Sequence, residues 1–320
     1  MIVVTESDIK NNLSMNDAIQ AVSGAFEDYS RHQIKVPSRI SMDVRGSTDS
    51  AIFLVANYLS MPYYGIKEAS SFPGNVEKGQ STVLSNIQLY SAESGQLLAL
   101  IHANHLTAMK TGAAAAVATD TLALKGGTVL SLIGTGIQAQ TQLRAIQEVR
   151  QLKEVRVYDL DQRRAQDFVE FGHSVKNRDY PITIMKSADA CVAGATVVST
   201  CTTSTTPVFS GEAISKGTHI NAIGSFTPVM QEIDTNTVLQ SSKIVTDNME
   251  ETWEVAGDLL VPFNDGLITQ SKLTGNLGDI RIGKLKGREH DDEITIYESV
   301  GFAALDIAVA ILVYKKLKTI

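Results

Sequence analysis

Gly134, Gly136 and Ala139 stand in a G-x-G-x-x-A array with an acid, Asp159, 25 residues beyond the first glycine. The chemistry this spacing serves is the holding of a dinucleotide. A first glycine permits a tight turn, a second leaves the backbone open to a pyrophosphate, and a small third residue lets helix and strand pack closely. Thr135, Ile137 and Gln138 fill the turn and the helix start, where backbone N–H groups face phosphate, and join the glycines as candidate cofactor contacts. Asp159 would accept hydrogen bonds from ribose hydroxyls and repel a 2′-phosphate, which favours NAD. Arg163 and Arg164 follow closely, and an arginine there can pair with a 2′-phosphate, so NADP stays possible.

The elements around the array are those it needs. An apolar run, Thr128 to Ile133, precedes the turn, an amphipathic stretch follows it, and a second apolar run ends on Asp159. Further short apolar runs at Pro181 to Met185, Ala195 to Thr200, His219 to Gly224 and Lys243 to Asp247 bring the number to six. Six such strands with crossovers predict an α/β fold, a doubly wound parallel sheet of the Rossmann type. The polar run Thr202, Thr203, Ser204, Thr205, Thr206 follows the fourth strand, where a dinucleotide would pass, and reads equally as cofactor contacts or as a plain turn.

The first third of the chain has another pattern. Ser14-x-x-Asp17 predicts a capping box opening a helix with Ala18, Ile19, Val22, Ala25 and Phe26 on one face. Alternating runs RISMDV, AIFLVANYLS and YYGIKEASSF follow, and NIQLYSAESGQLLALI predicts a hairpin turning at Glu93-Ser94-Gly95. This predicts an α+β domain with a mainly antiparallel or mixed sheet. An alanine-rich helix from near Thr107 leads into the Rossmann part, and a last helix is predicted from about Thr295 to Lys318. The expected domains are 1–117 with 292–320 for substrate binding and dimerisation, and 118–291 for NAD(P).

Composition bounds the function. A net charge of −7 argues against nucleic acid, whose phosphates require clustered Lys and Arg. Cys191 and Cys201 form no C-x-x-C pair, which argues against a metal site or disulfide framework and suits the cytoplasm. The apolar run AALDIAVAILVY contains Asp306 and is shorter than the ~18 residues that cross a bilayer, so no membrane partner is expected. The six histidines show no zinc spacing; His102 and His105 form a lone i, i+3 pair placed in a loop, and no metal is assigned. Asp291, Asp292 and Glu293 are read as a solvated loop opening the last helix.

Several separate motifs resemble the ornithine cyclodeaminase and mu-crystallin family along nearly the whole chain. They are VPSRISM with Arg39, GIKEASSFPGN with Lys67, LTAMKTGAAAA with Lys110, GTGIQAQ with Gln138, INAIGSFTP, and DDEITIYESVG. The resemblance implies a homodimer, a first domain completed by the C-terminal helix, and nicotinamide meeting a small amino or imino acid in a cleft between domains. It assigns Arg39, Lys67 and Lys110 to the substrate carboxylate, which an arginine grips with two prongs and a lysine as a point charge. Where relatives usually carry arginine this chain has Lys110, so one grip becomes a single contact. Ser299, Val300 and Gly301 would approach the nicotinamide.

A second departure from the family pattern bears on the reaction. Cyclodeaminases of the family carry an aspartate acting as acid and base on the substrate amine; that position here is Phe226, in Gly224-Ser225-Phe226-Thr227-Pro228. A phenyl ring transfers no proton, and cyclodeamination needs several transfers. Reduction of a preformed cyclic imine needs a carboxylate clamp, a hydride and one proton. The sequence therefore points to an NAD(P)H-dependent ketimine reductase of the Δ1-pyrroline-2-carboxylate type, with Lys67 and Thr227 as candidate catalytic groups and Phe226 against the ring methylenes. The alternatives are cyclodeamination with Glu232 or Asp234 as substitute acid, alanine dehydrogenation, a crystallin-like protein that only binds NAD(P)H and a small ligand, and a condensing amino-acid synthase.

Overall fold

The computed structural model describes residues 1–46, 49–175 and 179–318. These form two compact units, Met1–Lys110 with Phe302–Ile320, and Thr111–Gly301, and the division falls inside one helix.

The first unit runs β1 (Ile2–Val4), α1 (Glu6–Asn12), α2 (Met15–Ser30), β2 (Ile34–Lys35), β3 (Ile40–Arg45), β4 (Asp49–Tyr58), β5 (Tyr63–Ser71), β6 (Val83–Ser91), β7 (Leu97–His102) and the start of α3 (Asn104–Leu122). Its mixed sheet has the order β1-β7-β6-β5-β4-β2, with β3 also on β4; β1 lies parallel to β7 and the other pairs are antiparallel. The expected capping box is formed, Asp17 N–H donating to Ser14 Oγ and Ser14 N–H to the Asp17 carboxylate. The hairpin joining β6 and β7 turns through Gly95 at φ +70°. α2 and a last helix, α11 (Ala303–Lys318), lie on one sheet face. Gly65 is required there, because a Cβ on it would come within 2.6 Å of Ile307 Cδ1. That close seat lets α11 lie flat on β5 and places Lys67, two residues on and so on the same face, beside it.

The second unit holds β8 (Thr128–Ile133), α4 (Ile137–Val149), β9 (Leu152–Tyr158), α5 (Gln162–Ser174), β10 (Ile182–Ile184), α6 (Ala188–Val192), β11 (Val197–Thr200), β12 (His219–Ala222), α7 (Thr235–Gln240), β13 (Lys243–Thr246), α8 (Met249–Val255), α9 (Gly257–Asn264), β14 (Gly275–Asn276), α10 (Leu277–Arg281) and β15 (Thr295–Glu298). All its strand pairs are parallel, in the order β10-β9-β8-β11-β12-β15-β13-β14. Leu143 and Ile146 of α4 and Phe168 of α5 pack with Leu130, Leu132, Val155 and Val157. Val192 of α6, Val238 of α7 and Leu259 of α9 pack with Val198, Ile220 and Ile296. Adjacent residues of β11 divide between the two clusters, Val197 joining the first and Val198 the second, so helices pack on both faces and the sheet is doubly wound.

Five expectations are corrected. Thr295–Glu298 is a buried strand, and the helix expected from about Thr295 starts at Ala303. That strand takes the sixth place of the 3-2-1-4-5-6 order, which displaces the expected sixth run, β13, to the seventh. Asp291 to Glu293 therefore lead into a strand. The alanine-rich helix begins at Asn104, three residues before Thr107, with Glu6 of α1 accepting from the Asn104 and His105 N–H groups; His102 thus ends β7 and His105 is helical, neither in a loop. Among the described residues no helix is long and apolar enough to cross a membrane.

Candidate active site

Gly134 ends β8 at φ +82°, and a Cβ there would lie 2.7 Å from the Cys201 carbonyl oxygen, so glycine is required by backbone and by space. Gly136 is different. It caps α4, and a Cβ on it would touch nothing within 4 Å; no neighbour demands a glycine, and the volume it leaves is open at the helix N-terminus. Gln138 Oε1, in the first turn, is buried without a hydrogen-bond partner. An open cradle of N–H groups fits a pyrophosphate. Ile137 is 69% exposed at the first helical position.

Asp159 follows β9 and is bound to the same turn. Its Oδ2 accepts from Thr135 N–H and from Thr135 Oγ1–H, both at 2.8 Å, and its Oδ1 from Asp161 N–H at 2.9 Å. The acid is thereby fixed beside the glycine turn before any ribose arrives, with lone pairs left on each oxygen. Arg163 is exposed at the start of α5, while Arg164 lies 3.8 Å from Asp161.

Behind the turn the loops after β11 and β12 are tied by a buried acid. Glu232 accepts from Thr202 N–H at 2.5 Å, Gly224 N–H at 2.6 Å and Thr200 Oγ1–H at 2.7 Å. Gly224 has no room for a side chain, since a Cβ would lie 2.1 Å from the Thr202 carbonyl oxygen. Burial pushes the Glu232 carboxyl up, against its three donors. Asp258, which accepts from the Glu232 and Ile233 N–H groups, is pushed to about 8 by burial and by Glu232. Glu298 at the end of β15 has both oxygens buried without a hydrogen-bond partner, and burial with Asp258 and Glu232 raises its carboxyl well above the usual range. Asp234, the other acid considered as a substitute base, accepts from Thr237 and Gly211 N–H and caps α7.

Phe226 and Thr227 lie in the loop after β12, Phe226 37% exposed and Thr227 half-buried with its carbonyl accepting from Met230 N–H. Thr203 is exposed beside Thr202, whose Oγ1 accepts from Ser204 N–H, a turn contact. The segment after β15 is held by Asp247 at the end of β13, which accepts from Ser299 Oγ–H at 3.1 Å, Gly301 N–H at 3.2 Å and the Tyr297 hydroxyl.

In the first unit, Lys67 of β5 and Lys110 of α3, both buried, meet at one carboxylate. Lys67 Nζ donates to Asp306 Oδ1 at 2.8 Å, and Lys110 Nζ lies 3.4 Å from Asp306 Oδ2. Arg39, half-buried just before β3, is near enough for its charge to act on Lys67. Burial lowers the Lys67 pKa; Asp306 opposes this, and Lys110 and Arg39 add to it. Burial alone would push the Asp306 carboxyl up, but Lys110 and Lys67 outweigh it and hold the carboxyl below its usual range. Two buried ammonium groups on one carboxylate leave one positive charge in excess, which a small anion can satisfy.

The structure thus gathers Lys67 and Lys110, with Arg39 beside them, and separately Gly134, Thr135, Gly136 and Asp159. Asp306, Asp247, Glu232 and Asp258 are organising residues that the sequence reading passed over or cast otherwise. For Asp306 a signal existed, a lone acid inside an apolar helix.

The model of the ornithine cyclodeaminase/mu-crystallin family matches residues 1–319. Δ1-pyrroline-2-carboxylate reductase of Bacillus cereus is 32% identical over 316 residues, covering 99% of this chain and 96% of the relative. The structure of the Thermococcus litoralis Δ1-pyrroline-2-carboxylate reductase, in complex with NADH and L-proline, superposes with a TM-score of 0.96 at 33% identity over 100% of this chain and 98% of that one. An archaeal alanine dehydrogenase dimer with bound NAD gives 0.93 at 33% identity, over 99% and 96%. With its Rossmann sheet, its glycine turn backed by Asp159 and a match over its whole described length, the chain belongs to the ornithine cyclodeaminase/mu-crystallin family.

Proposed function

We propose that the protein is an NADH-dependent reductase of cyclic ketimine carboxylates, of the Δ1-pyrroline-2-carboxylate to proline type. The observation that carries this reading is the buried cluster of Lys67, Lys110 and Asp306 with Arg39 beside it, a receptor for one small carboxylate. Bound NADH supplies the hydride to the imine carbon. The second unit serves as the NAD-binding domain, the turn Gly134–Gln138 taking the pyrophosphate and Asp159 the adenosine ribose, with Thr202, Thr203, Ser299 and Gly301 as further contacts and Arg163 solvated. The first unit serves for substrate binding.

Lys67 suits the remaining proton transfer. Its burial makes the ammonium a better acid than a solvated lysine, and the imine nitrogen, which receives the C=N electron pair as hydride reaches the carbon, takes that proton to become the secondary amine of the product. We assign a hydroxyl contact to Thr227 and an apolar one to Phe226. Against cyclodeamination stands the use of both substitute acids: Glu232 and Asp234 already accept bonds that hold loops and a helix in place. The decisive experiment follows NADH oxidation with Δ1-pyrroline-2-carboxylate beside ammonia release from ornithine and NADH oxidation with pyruvate plus ammonia. Imine reduction faster than the other two is expected; dominant ornithine deamination or alanine formation overturns the assignment, and tight NADH binding without turnover leaves a binding protein.

The sheet of the first unit also suits a second copy of the chain. Its helices cover one face, while Ile40, Met42, Phe53, Val55, Ile66 and Leu84 align on the other, with Ile40, Met42 and Leu84 exposed. The archaeal alanine dehydrogenase relative is a dimer. Glu68, Asn86 and Gln88 share that face, and apolar residues interspersed with such polar groups suit burial against a second copy.

A further inference from the structure

We propose that Asp306 is a positioning residue of the reductase site: its two oxygens fix where the Lys67 and Lys110 ammonium groups stand and cancel one of their two positive charges, leaving a receptor for a single carboxylate. The inference rests on the ketimine reductase reading for its substrate and on geometry for the rest. Asp306 is fully buried on α11, a helix otherwise apolar along its buried length, where an uncompensated carboxylate would be costly. It is compensated by lysines from two other elements, one on each oxygen: Lys67 of β5 at 2.8 Å and Lys110 of α3 at 3.4 Å. Each ammonium has three N–H groups, so each keeps donors free of Asp306.

Without Asp306 the two lysines and Arg39 would repel one another in a desolvated space, and Lys67 would shed its proton rather than remain charged. A neutral Lys67 neither grips a carboxylate nor donates to an imine. Other groups reach the same spot. Tyr58 of β4 feels both Asp306 and Asp28 of α2, and its hydroxyl donates to the Ala304 carbonyl at 2.8 Å, so it sits by α11 as an un-ionised neighbour. Asp306 is thus the acid in direct contact with the lysines.

Asp306→Asn tests this in the full-length protein. The measurements are KM and kcat for Δ1-pyrroline-2-carboxylate, the pH profile of kcat/KM, NADH affinity by fluorescence, and the pH midpoint of Lys67 acetylation by acetic anhydride, read by mass spectrometry. With NADH affinity unchanged, D306N should raise KM about tenfold or more. The alkaline limb and the Lys67 midpoint should both fall by about one pH unit or more. The double variant D306N/K110M, which removes one charge of each sign, should return the midpoint toward that of the unsubstituted protein. A folded D306N with the original midpoint and alkaline limb overturns the proposal, as does a double variant that does not restore them. If D306N alone is not recovered folded, the step from K110M to D306N/K110M reads the same effect with one lysine fewer, and an unchanged midpoint there also overturns it. Should the unsubstituted protein fail to reduce the imine, the functional reading falls while the Lys67 midpoint still decides the part played by Asp306.

Discussion

Replacing Glu232 by glutamine separates a structural acid from a catalytic one, and the hydrogen bonds give the size of the effect. A glutamine amide presents one oxygen and one NH2. With NH2 at the Oε2 place it can donate to Thr200 Oγ1, which turns to accept, but it confronts Gly224 N–H; with NH2 at the Oε1 place it confronts Thr202 N–H. Either way one backbone N–H is left buried without an acceptor, at about 1–3 kcal/mol. Removing a buried charge that pushes Asp258 up offsets part of this, leaving a net loss of about 1–2 kcal/mol. For a domain of this size that lowers Tm by roughly 2–8 °C. Because the released loops carry Thr202 and Gly224, NADH affinity should weaken several-fold, while kcat at saturating NADH stays within about fivefold. Steady-state kinetics beside calorimetry and NADH titration decide the matter. A kcat loss of about 10²–10⁴ with unchanged Tm and NADH affinity is what removal of a proton-transfer group produces, and would refute the structural assignment of Glu232.

Thr135→Val removes the side-chain donor to Asp159 and should lower kcat/KM with NADH about five- to tenfold while leaving NADPH almost untouched; Thr135→Ser should retain the preference, and an equal loss with both cofactors would count against the assignment. His219 is buried between Thr295 and Asn221, and burial together with Arg288 lowers its pKa to about 3. A histidine whose folded pKa lies below its unfolded value costs no stability above about pH 6.5 and progressively destabilises as pH falls toward 3, by about 1.4 kcal/mol per unit. Urea unfolding at pH 7.5 and pH 5 should therefore differ by roughly 2 kcal/mol from this group, a difference absent in His219→Asn; an equal acid loss in that variant would refute it. Ile66→Lys, placed in the apolar face of the first sheet, should shift light-scattering mass from dimer to monomer with NADH affinity retained, and a monomeric unsubstituted protein would remove that interface altogether.

The glycine turn was legible because its demands are local: a left-handed φ at Gly134, open space at Gly136 and an acid at the end of the next strand all leave marks within one short stretch of chain. The proposed carboxylate receptor was not legible by spacing, since Lys67, Lys110 and Asp306 come from a strand and two helices far apart in the chain; only family resemblance pointed to the lysines. β15 was missed because four buried residues, TIYE, run almost directly into the apolar α11, and one continuous apolar stretch conceals the change of period. Glu232 stayed open to a catalytic role for a related reason. An acid near a glycine loop reads as available for chemistry, and only coordinates reveal that backbone N–H groups of two loops already occupy it.

The placing of β15 has a consequence for synthesis. A strand made after β13 and β14 is inserted between β12 and β13, so residues 295–298 must arrive before the larger sheet is continuous. The smaller sheet waits still longer, because the helix that seals its inner face follows that strand. While the ribosome is still translating, both layers are therefore unfinished, with apolar surfaces open to chaperones or to misassociation. Folding is in this sense triggered late, and truncations only a few dozen residues deep should leave a nascent chain trapped rather than a shortened native protein.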